Sequence, residues 1–263
     1  MKILRPLVLS LCAAAAHAEC SRPIQVPVAS TGMSVIVHGA QVSGIYPDIL
    51  AGVSSRTGCR FVYQPVPRAR LEALFEAGRA DLLFPAPRTP KRDPSGTFIP
   101  LVQARATIIS IDPKLPVIHS LAQLKEANLR LAIVRGFDYG PTYQQFIEAY
   151  KAAGRVYLEV DPIAVARLLK AGFADATIMT PTVLAGAIQE DSRVADLLQR
   201  LRVDPVPELA WIESGIYLSN RLNESDRQEL MKSLSEAAAS SAVWDSYKRY
   251  YPAELLTASL RPR

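Results

Sequence analysis

The sequence predicts an α/β protein built from two similar lobes with a hinge and a cleft between them. Three observations carry this expectation. Strand-like and helix-like segments alternate along most of the chain, the rhythm of a mostly parallel sheet flanked by helices. A segment repeats: Leu74-Phe75-Glu76-Ala77-Gly78-Arg79-Ala80-Asp81 matches Leu168-Leu169-Lys170-Ala171-Gly172-Phe173-Ala174-Asp175 at a constant offset of 94 residues, each a helix end, a glycine stop and entry into a buried strand. Chance remains the alternative, because such punctuation is common in α/β chains. Two extended connections, near 105–112 and 204–214, would make the hinge, and a cleft between lobes is the expected small-molecule site.

The elements follow in order. Ser34–Val37 is a β-branched run. Pro47–Thr57 places Ile49, Leu50 and Val53 on one helical face and stops at Gly58, a residue that enters the left-handed region without strain. Phe61–Gln64 is a strand, Arg68–Ala77 a helix with Leu71, Leu74 and Phe75 at helical spacing, and Ala80–Phe84 a buried strand. Leu101–Ile111 is one apolar strand. Ser120 caps a short helix, Leu129–Val134 is a strand, and Pro141–Ala153 a helix ended by Gly154. Arg155–Val160 is a strand, and Asp161-Pro162 is an N-cap followed by proline at the first helical position. Ala176–Met179 is a strand, with helices expected over Pro181–Gln189 and Asp191–Leu201. Glu208–Leu218 reads as an extended return to the first lobe, followed by helices over Asn223–Ser240 and Val243–Tyr250.

Composition limits the function. Of 263 residues 49% are hydrophobic and 21% charged, which supports a packed core and excludes a wholly disordered chain. The net charge of +5 raises nucleic-acid or membrane binding. Its placement argues otherwise. Lys2 and Arg5 precede a short apolar run from Leu7 to Ala16, and Ala16-His17-Ala18 puts small residues where a signal peptidase reads. The run is too short for a membrane span, which takes about 20 apolar residues, and Ala18-Glu19 before Cys20 does not resemble a lipobox. With cleavage after Ala18 the remaining 245 residues carry 28 basic and 25 acidic side chains, spread without clustering, so nucleic acid is not an expected partner. Cys12 leaves with the signal. Cys20 and Cys59 remain, and in an exported chain one disulfide is expected, two free cysteines being the alternative. Two cysteines and two remaining histidines, His38 and His119, show no metal-ligand spacing, and no cofactor motif is present.

Several runs together resemble family 3 periplasmic solute-binding proteins, the amino-acid-type receptors of ABC transporters. They are Gly44-Ile45-Tyr46-Pro47-Asp48-Ile49-Leu50, Val66-Pro67-Arg68-Ala69-Arg70, Glu76 to Leu83, Arg88-Thr89-Pro90-Lys91-Arg92, Ser120 to Leu124 and Leu169 to Ala176. No single run is specific; the ordered set covers nearly the whole exported chain. The resemblance implies a type II periplasmic-binding-protein fold, a discontinuous first lobe at 19–110 and 207–263, and a second at 111–206. It implies that Arg92, in the pattern Thr89-Pro90-Lys91-Arg92, grips a ligand carboxylate, since guanidinium offers a planar bidentate fork. It also implies a periplasmic location, an inner-membrane permease as partner, and a monomer. The chain departs from the family at four places: Thr180 stands where an acid usually holds the ligand ammonium, Arg135-Gly136-Phe137-Asp138-Tyr139 replaces a Gly-Ser/Thr loop, Pro67-Arg68 replaces an aromatic before the second first-lobe helix, and His38-Gly39-Ala40 follows the first strand in place of an acid.

Arg68, Arg70, Arg88, Arg92 and Arg135 all fall at predicted strand ends, with Tyr46, Phe84, Phe137 and Tyr139 among them and Asp138 as the loop acid. That set points to a small anionic or zwitterionic solute, held by Arg92, Thr89, Arg68, Tyr46, Arg135, Phe137, Asp138 and Thr180. No sequence-visible nucleophile–base constellation points to an enzyme. The alternatives are a receptor feeding a membrane sensor and, among relatives of this family, a dehydratase-like enzyme using a cleft acid.

Overall fold

The structure is a computed structural model that describes residues 19–263; the export segment at 1–18 and its cleavage point lie outside the described residues. The first strand of the core is β1 (Ile24–Val28), which the sequence reading did not mark. A hairpin, β2 (Ile36–His38) and β3 (Gln41–Ser43), follows it. The run at Ser34–Val37 therefore feeds an antiparallel hairpin, and His38-Gly39-Ala40 is the hairpin tip rather than the end of the first core strand. Next come α1 (Ile45–Thr57), β4 (Phe61–Pro65), α2 (Arg68–Glu76) and β5 (Leu82–Pro87). Strand β1 runs parallel to β4.

Leu101–Ile111 is not one strand. It divides into β6 (Gly96–Ala104) and β7 (Thr107–Ser110), and the two lie in different sheets. The chain crosses between lobes at Arg105 and Ala106, ahead of the 110/111 boundary expected from sequence. The largely apolar, buried residues on either side of Arg105 read as one strand and hide that break.

The second lobe holds α3 (Leu121–Glu126), β8 (Leu131–Val134), α4 (Pro141–Ala152), β9 (Val156–Glu159), α5 (Pro162–Lys170), β10 (Ala176–Met179), α6 (Pro181–Gln189) and β11 (Arg202–Asp204). Its sheet has the order β11-β7-β10-β8-β9, with β8 parallel to β9 and to β10, and β7 antiparallel to β10 and β11. Ser120 and Asp161 cap their helices as expected, accepting from the backbone N–H of Gln123 and Ala164 at 3.1 and 2.7 Å. The helix expected over Asp191–Leu201 is only a short 3-10 turn at Ala195–Arg200. Asp191 accepts from the backbone N–H of Arg193 and from the side chains of Arg167 and Arg193, a local pattern that competes with helix formation.

The return strand β12 (Ile212–Ser219) lies antiparallel between β5 and β6. Helices α7 (Glu224–Ala239), α8 (Ala242–Tyr250) and α9 (Ala253–Ser259) follow, and β13 (Leu260–Pro262) ends on β6. At the hinge the Trp211 ring receives two guanidiniums, Arg105 at 4.7 Å and Arg261 at 3.9 Å. One crossing, the other crossing and the C-terminal strand are thereby joined at one ring.

The second-lobe sheet, parallel at its centre through β10, β8 and β9, has a core cluster on each face. In the second lobe Leu131 and Ile133 pack with Tyr143, Ile147 and Ile178, while Ala132 and Val134 face Val165, Leu169, Met179 and Leu184. In the first lobe Ile24, Val26, Leu50, Leu82, Ile216 and Leu230 share the larger core, and Leu71, Phe75, Leu83 and Tyr217 the smaller. Cys20 and Cys59 form a disulfide that pins the segment before β1 to the residue after α1. Among the described residues no helix is long and apolar enough to cross a membrane.

Candidate functional site

The two lobes meet around a central cavity of about 50 Å³ lined by Thr31, Arg68, Pro85, Pro87, Ala104 and Ser214 from the first lobe and by Phe137, Asp138, Tyr139, Thr180 and Val183 from the second. An outer groove of about 410 Å³ shares Phe137 and Asp138 with it and runs between α2 and the start of α4, past Glu72, Glu76, Lys91, Arg135, Gln144 and Lys151. Of these two, the groove has the volume typical of small-molecule sites, roughly 300–1,000 Å³.

The loop 135–140 leaves β8 and bends against the start of α2. Gly136 makes that approach possible: at φ +91° it carries no side chain, and a Cβ there would lie 2.8 Å from the Cα of Ala69. The bend brings Phe137 to Arg68, whose guanidinium carbon sits 5.9 Å from the ring centroid across the lobe boundary. Asp138 turns its own loop, accepting from Gly140 N–H at 2.9 Å. Tyr139 accepts from Thr180 N–H at 3.2 Å, and its burial pushes the phenol above its ordinary value. Thr180 is the N-cap of α6, yet its side chain accepts no capping bond. The positive end of α6 therefore opens on the cavity beside a hydroxyl unengaged in capping.

Four predicted residues, Arg68, Phe137, Asp138 and Thr180, come together at the central cavity. Arg135 faces only the outer groove. Thr89 and Arg92 lie behind it; the Arg92 N–H donates to Thr89 O at 3.0 Å, and the Thr89 hydroxyl is buried without a hydrogen bond. Tyr46 is in the first-lobe core, stacked on Phe84 with centroids 5.2 Å apart. Of the five arginines read as facing the cleft, only Arg68 lines the cavity; Arg88 is half exposed beside Asp93 and Glu213, each at 3.7 Å.

Sequence reasoning missed Glu72. Its carboxylate accepts from Arg68 Nε and Nη2 at 2.8 and 2.5 Å, and from Arg92 Nε and Nη2 at 3.1 and 2.9 Å. The remaining contacts are Arg68 Nη1 to Pro85 O at 2.9 Å and Arg92 Nη1 to Pro87 O at 2.7 Å. Burial alone raises the Glu72 pKa, but the Arg68 and Arg92 charges and their hydrogen bonds more than offset it and hold the carboxyl below the ordinary range. Burial is also the largest influence on Arg68, drawing its pKa down. The signal for Glu72 was present: Arg68, Leu71, Glu72 and Phe75 form the buried stripe of α2, so two charges at helical spacing occupy core positions. Thr31 and Ser214 were also missed, because neither belongs to a motif.

Among the described residues no group of three or more His, Cys, Asp or Glu side chains is placed to hold a metal ion. No family model and no curated protein matches the sequence. Solved structures do match in fold. The arginine-, lysine-, histidine-binding protein ArtJ from the thermophilic bacterium Geobacillus stearothermophilus superposes with a TM-score of 0.70 at 15% identity, over 88% of this chain and 95% of that one. The GluR0 ligand binding core in complex with L-glutamate gives 0.68 at 18%, over 88% and 99%. A histidine kinase sensor domain with similarity to periplasmic binding proteins gives 0.67 at 16%, over 87% and 96%. The chain has the type II periplasmic-binding-protein fold, two α/β lobes joined by a two-strand hinge.

Proposed function

We propose that the protein is a periplasmic receptor that binds a small amino-acid-like solute between its lobes. One observation carries this reading: Arg68 from the first lobe and Asp138 with Thr180 from the second converge on one interlobe cavity. A guanidinium opposite a carboxylate suits a zwitterion, with its carboxylate toward Arg68 and the α6 terminus and its ammonium toward Asp138. The fold supports the reading, since proteins that share it include binders of arginine, lysine, histidine and glutamate. The disulfide and the N-terminal pattern support export. We take the chain as a binder rather than an enzyme, with Arg92 and Thr89 supporting the site from behind. Delivery to an inner-membrane ABC permease is the partner reading; the likeness to a sensor domain keeps a membrane sensor as the second.

Calorimetry with a panel of amino acids and organic acids tests this. Wild type is expected to bind at least one amino acid, and Asp138→Asn and Arg68→Lys each to weaken it about 10–100-fold, the range for one charge-assisted hydrogen bond. Absence of binding across the panel, or unchanged affinity in both variants, overturns the reading.

A further inference from the structure

Glu72 stands where an incoming carboxylate would be expected to stand. Oε1 accepts from Nε and Nη2 of Arg68 and from Nη2 of Arg92, while Oε2 accepts from Nε of Arg92, so the carboxylate meets Arg92 side by side, the geometry by which arginine holds a carboxylate, and takes the Arg68 edge on one oxygen. All three groups are buried, at 3%, 1% and 8% exposure for Arg68, Arg92 and Glu72. Each guanidinium has five donors, and three on each are already engaged by Glu72 and a proline carbonyl. Arg92 lines neither the central cavity nor the outer groove.

The charge balance follows. Arg68 and Arg92 bring two positive charges, Glu72 cancels one, and Asp138 across the cavity cancels the other. In the outer groove Lys91 is paired with Glu76 at 2.9 Å and Lys151 with Glu148 at 2.6 Å, which leaves the Arg135 charge outside the central cavity's balance. A neutral cavity accepts a zwitterion without leaving a buried charge uncompensated, and it opposes a second carboxylate.

We propose that Glu72 is a resident carboxylate that fills the fork between Arg68 and Arg92 and so sets the charge class of the solute, selecting net-neutral zwitterions over anions. The selectivity rests on the receptor reading above; the filled fork does not. Two measurements separate them. In the first, no solute is used. The melting temperature of Glu72→Ala is followed in sodium formate against sodium chloride of equal ionic strength. Formate entering the emptied fork is expected to raise Tm by about 2–4 °C in the variant and to leave wild type unchanged. Glu72→Gln, which keeps the shape and removes the charge, is run beside it, and if either variant is unfolded in buffer, formate-dependent folding is read by circular dichroism. No formate-specific gain in either variant overturns the fork assignment. In the second, calorimetry compares glutamate with glutamine, an acid and its near-isosteric amide, on wild type and Glu72→Gln. The affinity ratio is expected to move toward the acid by tenfold or more. An unmoved ratio in a protein that binds its panel overturns the selectivity; a wild type that binds no panel member overturns the receptor reading, and the formate experiment still decides the fork.

Discussion

In the first lobe Asp81 accepts both Nη1 and Nη2 of Arg22 and the backbone N–H of Gln25, at 2.6, 2.8 and 2.7 Å. In the second, 94 residues on, Asp175 accepts Nε and Nη2 of Arg130 and the backbone N–H of Arg130, at 3.0, 2.7 and 2.7 Å. The repeated Gly-x-Ala-Asp thus has one structural job performed twice: the aspartate ties the strand that follows a helix to the start of the lobe's first parallel strand. At the same offset the buried stripe of α2, Arg68-Leu71-Glu72-Phe75, corresponds to Pro162-Val165-Ala166-Leu169 on α5. The scaffold positions agree while the charged ones do not. One lobe keeps an apolar helix face, and the other has exchanged two core positions for an ion pair that reaches the cleft. The comparison teaches where the two lobes diverge: at core positions of α2 rather than in the shared punctuation.

The largest expected difference between the lobes is covalent. Only the first holds a disulfide, with Cys20 and Cys59 separated by 39 residues. In the chain-entropy account closing such a loop contributes about 4 kcal/mol, so Cys59→Ser should lower the unfolding free energy by about that amount. Urea unfolding of the variant and of wild type measures it. If the lobes unfold separately, the loss should fall on the transition reporting the Trp244 side; a loss below about 1 kcal/mol would mean that packing around residue 59 already fixes the N-terminal segment.

The aspartate ties come next. The Asp81 side chain is 5% exposed and that of Asp175 22%. Removing the more buried acceptor strands its donors with less access to water, so Asp81→Asn should cost about 2–3 kcal/mol and Asp175→Asn about 1 kcal/mol. Equal costs would show that burial does not distinguish the two copies. Side-chain hydrogen bonds from Arg130, helped by its backbone N–H, hold the Asp175 carboxyl below its ordinary range. A depressed folded-state pKa contributes stability that is present above the unfolded value near 4 and is lost as pH falls through the folded one. Wild type and Asp175→Asn should therefore differ fully at neutral pH and converge in acid below about pH 4.

Much of this was legible because it is local. Ser120, Asp161 and Asn223 cap their helices from their own positions, accepting at 3.1, 2.7 and 2.8 Å, and Gly58 stops α1 in the left-handed conformation. What escaped was non-local. Strand β1, Ile-Gln-Val-Pro-Val, is five residues with a proline inside, and only its parallel partner β4 makes it a core strand. The break at Arg105 is invisible until β6 and β7 are seen to join different sheets. At the site, Arg68 was legible from its place beside a strand end, whereas the Arg92–Glu72 contact joins residues 20 apart through tertiary packing.

The smallest effect is expected where the lobes touch at the surface. His38 at the hairpin tip and Glu190 at the end of α6 approach to 2.7 Å, with side chains 62% and 24% exposed. A pair so wetted contributes about 0.5 kcal/mol or less, because each group is nearly as well served by water. Close by, α6 packs tightly on the first lobe: a Cβ on Gly186 would lie 2.6 Å from Met33 N, 2.7 Å from the Tyr251 hydroxyl and 2.9 Å from the Cα of Gly32. That contact depends on shape, and shape-dependent contacts in a dense interior are far less forgiving than exposed ion pairs. His38→Ala should therefore shift the melting temperature by less than about 2 °C. A larger loss, abolished in high salt, would show that charge at the surface, rather than the fit of Gly186 against Gly32, holds the lobes in this arrangement.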